Sequence, residues 1–416
     1  MTSEEAKARN AGAAVPRVGI FGKVGAGNIG NDASMEALLG YLRADHPDAV
    51  IDAMCTGPDT LRSRYGIDAI QLFWHNRFKA SGATATILKV VGRGLDTFRT
   101  VGWVRRHDVV VVPGAGVLEA SLPMVPRGWP YAIFLMSAAG KVFGTKVAFV
   151  SVGAGTVNQR MTRFLFNQAA RLAHYRSYRD AGAKESMRRR GLDVSRDHVY
   201  PDLAFSLRPP AGGAVDPRLV AVGVMAYYGT NDERAQADEI YAGYVAGMKR
   251  FVRWLAENDH KILLIVGDTN GSDSDVVAEI LNDVRVNLPN LDQSTVTAAA
   301  VSSYSDVMQV MSRVGSVVAI RYHNVLCALK LSKPTIAISY SPKHDVLITD
   351  MGLADFSLAV STLDIDELIK KFTELESRSD ELTRTLEQRN ATKAEGIAGQ
   401  FAELSAVLFP ARSGHG

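Results

Sequence analysis

The sequence predicts an α/β protein with two Rossmann-like domains that face each other across a cleft, and a helical tail at the C-terminus. Short apolar runs rich in valine and isoleucine alternate with helix-length amphipathic segments, a pattern typical of βαβ units and parallel sheets. The pattern is interrupted at residues 206–217, which contain three prolines and two glycines, and then starts again. Beyond residue 364 the sequence is charged and amphipathic, with no strand signal.

The first half contains the elements of one parallel sheet. Its predicted strands are residues 15–22, 49–54, 109–113, 146–152, 175–178 and 199–205, and its predicted helices are residues 33–43, 129–143, 160–173 and 183–190. Residues 62–106 are basic and irregular. They could contact a membrane surface or form a solvated face, and we expect the solvated face. These segments form a predicted N-terminal domain at residues 15–207, which follows a flexible N-terminus at residues 1–14.

The second half repeats the alternation. Its predicted strands are residues 219–225, 261–266, 295–301, 316–320, 335–339 and 357–360, with helices at 233–257, 275–286, 305–312 and after Asn324. The predicted units are therefore a linker at residues 208–217, a C-terminal domain at 218–363 and a helical tail at 364–416. Two such domains with a hinge and a terminal helix resemble the GT-B glycosyltransferases, a likeness that concerns the fold alone.

Composition excludes several classes of protein. The 416 residues are 47% hydrophobic and 22% charged, as in a soluble globular protein, and a net charge of +3 without a basic aromatic stripe argues against nucleic acid. Cys55 and Cys327 belong to no CxxC or Cys/His cluster, so we expect a reducing cytoplasm and no structural metal. The longest apolar run is too short to span a bilayer, which leaves open a peripheral contact at the inner face of the plasma membrane.

Cationic side chains follow strands of both halves. Arg179 comes directly after the strand at 175–178, Arg321 and His323 follow the strand at 316–320, and Lys343 lies in the loop after the next strand. Ligands bind open α/β sheets at the carboxyl ends of their strands, where helix N-termini favour anions. Guanidinium groups bind carboxylate and phosphate in a bidentate way. The sequence therefore predicts a site for a small, densely anionic ligand.

Glycine-rich loops follow three strands of the first half. Gly25, Gly27 and Gly30 match a dinucleotide fingerprint, but the second strand ends without the acidic residue that a nicotinamide cofactor needs. Glycines also make turns or let backbone approach a ligand closely, and the two roles are about equally expected. We expect the acceptor side of the cleft to be lined by Gly27, Asn28, Asp32, Gly114 and Gly116.

An ordered set of short motifs resembles the polysaccharide pyruvyltransferase family over residues 18–353. The set comprises residues 27–33 (GNIGNDA), 113–118 (PGAGVL), 177–180 (SYRD), 201–204 (PDLA), 321–323 (RYH) and 340–343 (YSPK). The chain departs from the family pattern at Asn31, where an aspartate is usual, and at Ala115, where a glycine is usual. The resemblance implies pyruvyl transfer from phosphoenolpyruvate to a sugar, with Arg179 and Arg321 binding the donor and His323 catalytic.

The residues are consistent with this chemistry. His323 is a candidate general acid or base, Arg179 and Arg321 candidates for stabilising the donor's negative charge, and Lys343 a further phosphate contact. Asp202, Asp268 and Asp345 are separate, so we expect no metal and no cofactor besides phosphoenolpyruvate as co-substrate, with a glycan or lipid-linked glycan as acceptor. Two alternatives stay open: a GT-B glycosyltransferase that uses a nucleotide sugar, with Asp268 or Asp345 on the ribose, and a non-catalytic carbohydrate-binding protein.

Overall fold

A computed structural model of the protein describes residues 15–78, 82–120, 124–211, 213–268 and 272–409. The predicted flexible N-terminus at residues 1–14 lies outside these ranges. Within them the chain forms two parallel sheets flanked by helices, as the sequence predicts. No helix of the described ranges combines the length and the apolarity needed to cross a bilayer.

The first sheet has its topological switch point beside its first strand. Its strands are β1 (Arg17–Gly22), β2 (Val50–Cys55), β3 (Asp68–Gln71), β4 (Val109–Pro113), β5 (Lys146–Val152), β6 (Tyr175–Tyr178) and β7 (His198–Val199). They lie in the order β3-β2-β1-β4-β5-β6-β7. Because the chain leaves β1 towards one edge and returns to the other side at β4, a crevice opens at the carboxyl ends of these two strands.

Helices cover both faces of this sheet. They are α1 (Ile29–Asp45), α2 (Pro58–Tyr65), α3 (Gly82–Val104), α4 (Trp129–Phe143), α5 (Arg160–Leu172) and α6 (Ala181–Arg189). One core holds the inner residues of α1 and α2, among them Leu38 and Leu61. The opposite core joins Trp103 of α3, Ile133 of α4 and Phe166 of α5 to the strands. The helices α3, α4 and α5 therefore lie side by side on one face.

The second sheet repeats the arrangement. Its strands are β8 (Asp216–Gly223), β9 (Lys261–Ile265), β10 (Val296–Ala298), β11 (Val314–Ala319), β12 (Thr335–Ser339) and β13 (Ser357–Ala359), in the order β10-β9-β8-β11-β12-β13. Its helices are α7 (Ala237–Glu257), α8 (Asp273–Asn287), α9 (Tyr304–Met311), α10 (Tyr322–Lys330), α11 (Pro342–Asp350) and α12 (Ile365–Ser377). The central strand β11 pairs with β8 on one side and β12 on the other, so neither of its edges is exposed.

Several predicted elements differ from the structure. Residues 62–106, expected to be irregular, contain β3, a 3-10 turn at Trp74–Arg77 and the helix α3. Glycines at positions 92, 94 and 102 and several β-branched residues give α3 a low intrinsic helix propensity, and its packing against α4 compensates. The strand expected at 295–301 is only Val296–Ala298, and the one at 199–205 is β7 followed by a 3-10 turn at Leu203–Ser206.

The C-terminal tail ends in a long helix, α13 (Ser379–Leu408), that joins the two halves. The Asn390 side chain donates to the carbonyl of Leu329 in α10 at 2.9 Å. Further along, the buried Gln400 amide donates to the hydroxyls of Ser151 and Ser177 in the first sheet, at 2.8 and 2.9 Å. Because one continuous helix bonds to the first sheet and to α10 of the second domain, it helps to fix how the carboxyl ends of β6 and β11 face each other.

Candidate functional site

The turn from β11 into α10 carries the sequence Arg321-Tyr322-His323. The valines of β11 are buried, and the strand ends at Ala319. These three side chains therefore lie at the carboxyl edge of the sheet. The buried His344 of α11 donates from its Nε2–H to the carbonyl of Ile320 at 2.9 Å. This bond satisfies a carbonyl that the sheet leaves unpaired and fixes the turn in place.

His323 lies where the two domains meet. Its imidazole packs directly against Gly30 in the first turn of α1, and a Cβ added at that glycine would lie 1.9 Å from the imidazole Nδ1. Only a glycine leaves room for the ring. The Nε2 atom of His323 is buried and has no hydrogen-bond partner within the described part of the chain. An unsatisfied buried nitrogen is costly, so its position at the cleft suits a substrate group.

Arg179 approaches the same place from the other domain. It follows β6, and its guanidinium lies over Gly153, where an added Cβ would be 2.8 Å from an Arg179 nitrogen. The guanidinium stacks 4.8 Å from the ring centroid of Tyr322, next to His323. Its closest carboxylates, those of Asp180 and Asp202, are 3.6 and 3.8 Å away, longer than hydrogen bonds.

The buried Arg179 guanidinium therefore has donors left for a ligand. The side chain is only 3% exposed, and its Nε has no hydrogen-bond partner among the described residues. A desolvated guanidinium with loosely placed carboxylates forms strong bonds to an incoming anion.

Lys343 completes the cationic cluster from the start of α11. Its Nζ is 3.5 Å from the Glu119 carboxylate and 5.8 Å from the ring centroids of both Tyr322 and Tyr340. Burial opposes ionisation of Glu119, but Lys343 and Arg179 hold the pKa of that carboxyl below its usual value. The structure thus brings Arg179, His323 and Lys343 together around Tyr322. Arg179, Tyr322 and Lys343 also line a cavity of about 700 Å³.

His323 is a neutral imidazole in this environment. Burial, followed by the positive charges of Arg179 and Lys343, lowers its pKa to about 3. At pH 7 the ring is therefore ready to accept a proton rather than to donate one. A ligand with several negative charges would offset the two cations and raise the pKa of His323 again.

Arg321 does not join this cluster through a free guanidinium. Its Nε and one terminal nitrogen donate to the Asp273 carboxylate, at 2.9 and 2.7 Å, in a bidentate ion pair. Its aliphatic part packs against the backbone of Gly267, where an added Cβ would be 2.8 Å from the Arg321 Cγ. The arginine that the sequence assigns to the donor is therefore already paired with the buried Asp273 at the start of α8.

The first glycine loop is fastened by its own residues. Gly27 has a φ of +85°, the left-handed conformation that favours glycine. Asn28 caps α1 by accepting the N–H of Asn31, and its backbone forms a bridge with Asp268 of the second domain. The buried Asp32 accepts the N–H of Gly25 at 2.6 Å, underneath the loop.

Gly114 and Gly116 make room for other protein side chains. An added Cβ at Gly114 would lie 2.3 Å from the Ser34 hydroxyl of α1, and one at Gly116 would lie 2.0 Å from a Glu119 carboxylate oxygen. Gly114 thus allows α1 to pack closely on the end of β4. Gly116 gives Glu119 the space to turn back towards Lys343.

Asp32 gives a prediction for the pH dependence of stability. Burial raises its pKa to about 6, although the bond from Gly25 and the charge of Arg64 act in the opposite direction. Because the folded-state pKa lies above the unfolded one, this carboxyl favours the folded state most at low pH, and that contribution disappears as the pH rises through 6. Asp32→Asn still accepts from Gly25 but does not titrate. We expect its free energy of unfolding, relative to that of the wild type, to be higher at pH 8 than at pH 5 by about 1 kcal/mol.

Urea unfolding of the wild type and Asp32→Asn at both pH values measures this difference. A Ser34→Ala variant, next to Asp32 in α1 but without a titrating group, serves as the control and should show no such trend. A difference between Asp32→Asn and wild type that is constant with pH, or that shrinks, contradicts the assignment.

Three residues of the site were not assigned a role from the sequence. The ring of Tyr322 contacts both Arg179 and Lys343, Glu119 pairs with Lys343, and Asp273 holds Arg321. Glu119 lies three residues beyond the Gly116 loop and Tyr322 lies inside a motif, so strand-end position was a usable signal for both. Asp273 gives no such signal, since its pairing depends on how α8 lies against β11.

Comparisons with known proteins agree with the fold and identify the family. A putative UDP-N-acetylglucosamine 2-epimerase from Listeria monocytogenes superimposes with a TM-score of 0.61 at 12% identity, over 94% of this chain and 96% of that one. The UDP-GlcNAc 2-epimerase from Neisseria meningitidis, bound to UDP-GlcNAc, gives 0.57 at 12%, over 95% and 100%. The lipopolysaccharide outer core galactosyltransferase WaaB gives 0.52 at 14%, over 94% and 99%.

At such identities these likenesses establish the GT-B fold alone. Among curated proteins, none matches the sequence. The profile of the family "Polysaccharide pyruvyl transferase", however, matches residues 28–342, which is most of the chain, extends over parts of both domains and contains every residue of the cluster but Lys343. The chain therefore belongs to the polysaccharide pyruvyl transferase family and is a transferase.

Proposed function

We propose that the protein transfers a pyruvyl group from phosphoenolpyruvate to two hydroxyls of a sugar, forming a pyruvate ketal and releasing phosphate. The acceptor is a polysaccharide or a glycolipid precursor. The observation that carries the proposal is that one cluster contains a buried, incompletely bonded Arg179 and a neutral His323 whose Nε2 has no partner among the described residues. Phosphoenolpyruvate is a small molecule with a carboxylate and a phosphate, which two nearby cations can bind together.

Arg179 and Lys343 are the donor-binding residues in this proposal. Lys343 is 3.5 Å from Glu119, so an anionic donor that enters the cluster replaces Glu119 as the partner of the ammonium group. The planar guanidinium of Arg179 suits a bidentate contact with the donor carboxylate or phosphate. Arg321, whose charge is neutralised by Asp273, supports the same edge of the cleft in this proposal.

Each step of the reaction balances with these groups. As one sugar hydroxyl attacks C2 of the donor, His323 takes up its proton and passes it on to the donor's methylene carbon, which becomes a methyl group. The C2–O bond to phosphate then breaks, the second hydroxyl closes the ketal at C2, and its proton leaves on the phosphate. Negative charge collects on the departing phosphate, where Arg179 and Lys343 stabilise it. The reaction as written uses no metal and no further cofactor.

His323 moves protons in this scheme. Its neutral Nε2 accepts the proton of the attacking hydroxyl. Burial lowers the pKa of His323 most, and Arg179 and Lys343 lower it further; the donor's negative charges offset the two cations and so favour the imidazolium. In this proposal Gly27, Asn28 and Gly116 face the acceptor, whereas the buried Asp32 and Gly114, also predicted to line the cleft, support the loops from beneath.

A thermal-shift titration separates this proposal from a nucleotide-sugar glycosyltransferase. We expect phosphoenolpyruvate to raise the melting temperature and uridine or guanosine diphosphate to have no effect, since a ligand stabilises only the state that binds it. Phosphate release from phosphoenolpyruvate, assayed with free and lipid-linked glycosides, then identifies the acceptor. Stabilisation by a nucleoside diphosphate instead of phosphoenolpyruvate would overturn the proposal.

A further inference from the structure

The outer face of the three helices α3, α4 and α5 is unusually apolar for a surface. Of the 17 large apolar side chains that are exposed in the described chain, seven lie on these three helices. Val91, Leu95 and Phe98 follow each other at helical spacing on α3, on the side opposite the buried Trp103. Phe98 is 79% exposed. Scattered apolar residues need no explanation, but a contiguous stripe of this kind marks an interaction surface.

The apolar surface continues across the neighbouring helices. Val142 and Phe143 are exposed at the end of α4, and Met161 and Phe164 at the start of α5. The three helices pack in the order α3, α4, α5, so these side chains extend the α3 stripe along one side of the sheet. We call this surface the α3–α5 face.

The segment that forms this face is strongly basic. Residues 82–179 contain thirteen lysines and arginines against three acidic residues, whereas the whole chain has a net charge of only +3. Residues 124–178 contain no aspartate or glutamate at all. Arg127, Arg160 and Arg163 are exposed, the last two beside Met161 and Phe164.

Of the three acidic side chains in this segment, only Asp96 lies on one of the three helices. Its carboxylate is 2.6 Å from Arg99 of the same helix and accepts the N–H of Trp74. Asp108 accepts the N–H of Arg17 at the far edge of the sheet, and Glu119 pairs with Lys343 in the site. The exposed Arg127, Arg160 and Arg163 therefore form no ion pair among the described residues.

We propose that the α3–α5 face docks on an anionic phospholipid bilayer. Exposed aromatic and aliphatic side chains between arginines are the composition of interfacial membrane-binding surfaces, where apolar groups enter the headgroup boundary and cations contact anionic lipids. Arginine side chains extend their charged ends to the headgroups while their stems stay on the apolar surface. Charge complementarity favours this partner over a second copy of the chain, which would bring two basic faces together.

Docking on this face would also orient the cleft. A cavity of about 400 Å³ opens between α3 and α4 and is lined by Arg93, Arg127 and Trp129. It lies at the carboxyl edge of the first sheet, the edge at which the catalytic cluster lies. If the proposed function holds, a membrane-bound acceptor would enter the cleft from this side.

Sedimentation of the full chain with vesicles tests the docking surface without any use of phosphoenolpyruvate. The vesicles are phosphatidylcholine alone and equimolar phosphatidylcholine and phosphatidylglycerol. We expect binding to the mixed vesicles only, and a drop of about 10-fold or more in the partition coefficient for Arg160→Gln/Arg163→Gln and for Phe98→Ser/Phe164→Ser. Two control variants lie away from the face. Arg384→Gln/Arg389→Gln on α13 removes two positive charges, and Val286→Ser on α8 removes an exposed apolar side chain. Both should bind like wild type.

Unchanged binding in both α3–α5 variants, or an equal loss in the controls, overturns the proposal. Analytical ultracentrifugation without vesicles adds a second outcome: if Phe98→Ser/Phe164→Ser turns an oligomer into a monomer, the face binds another copy of the chain and the membrane assignment is wrong. Because none of these variants touches the cationic cluster, a failure here leaves the phosphoenolpyruvate titration unaffected, and the reverse also holds.

Discussion

Replacing His323 with glutamine is expected to lower kcat for pyruvyl transfer by about 10²- to 10⁴-fold, the usual contribution of a positioned general acid or base. Glutamine fills similar space and remains polar, but it cannot take up the proton of the sugar hydroxyl. The fold should be unchanged, because the Nε2 of His323 forms no hydrogen bond within the described chain that the substitution could remove. Phosphate release from phosphoenolpyruvate in the presence of acceptor measures the loss.

His344, in the helix α11, offers a matched control. It is also a histidine with a low pKa, but it is fully buried, and its Nε2–H donates to the Ile320 carbonyl and so supports the turn that carries His323. We expect His344→Gln to lower the melting temperature, whereas His323→Gln should leave it close to wild type. A fully active His323→Gln enzyme would refute the assignment of this residue.

Replacing Arg179 with lysine is expected to reduce kcat/KM for phosphoenolpyruvate by roughly 10²-fold or more, the size of effect seen when a donor aimed at developing charge is removed. Lysine keeps the positive charge, so Asp202 retains a cation nearby and the domain should still fold. It loses the planar, bidentate arrangement of the guanidinium and the stacking on Tyr322.

The neighbouring Arg176 provides the comparison for this variant. It lies in β6, three residues before Arg179, but pairs with Asp197 at 2.8 and 2.9 Å on the side away from the cluster. Arg176→Lys should therefore lower stability and leave KM for phosphoenolpyruvate unchanged. Equal kcat/KM values for Arg179→Lys and Arg176→Lys would contradict a donor-binding role for Arg179.

Most of the fold follows from local pattern. Runs such as Val109–Pro113 and residues 316–320 are so apolar that only a doubly buried strand explains them, and the proline-rich break at 206–217 separates the two sheets. The short edge strand β3 and the helix α3 escaped prediction for the opposite reason. Both have weak intrinsic signals, and they form because Leu72, Trp103 and Val104 pack into the core.

The site was predictable only as far as strand ends reveal it. The carboxyl edge of a parallel sheet is known from topology, so the sequence alone was enough to predict that Arg179, His323 and Lys343 lie together. What a side chain bonds to at that edge depends on segments far apart in sequence. Asp273 is 48 residues before Arg321, and its bidentate bond changes Arg321 from a free cation into a neutralised one.

A crystal structure of the His323→Gln variant with phosphoenolpyruvate tests the central claim most directly, because the variant binds the donor without consuming it. We expect donor oxygens within hydrogen-bond distance of the Arg179 guanidinium and the Lys343 ammonium, with the methylene carbon facing residue 323. Phosphoenolpyruvate bound at a different place, or a donor in the cleft that contacts neither cation, would contradict the account.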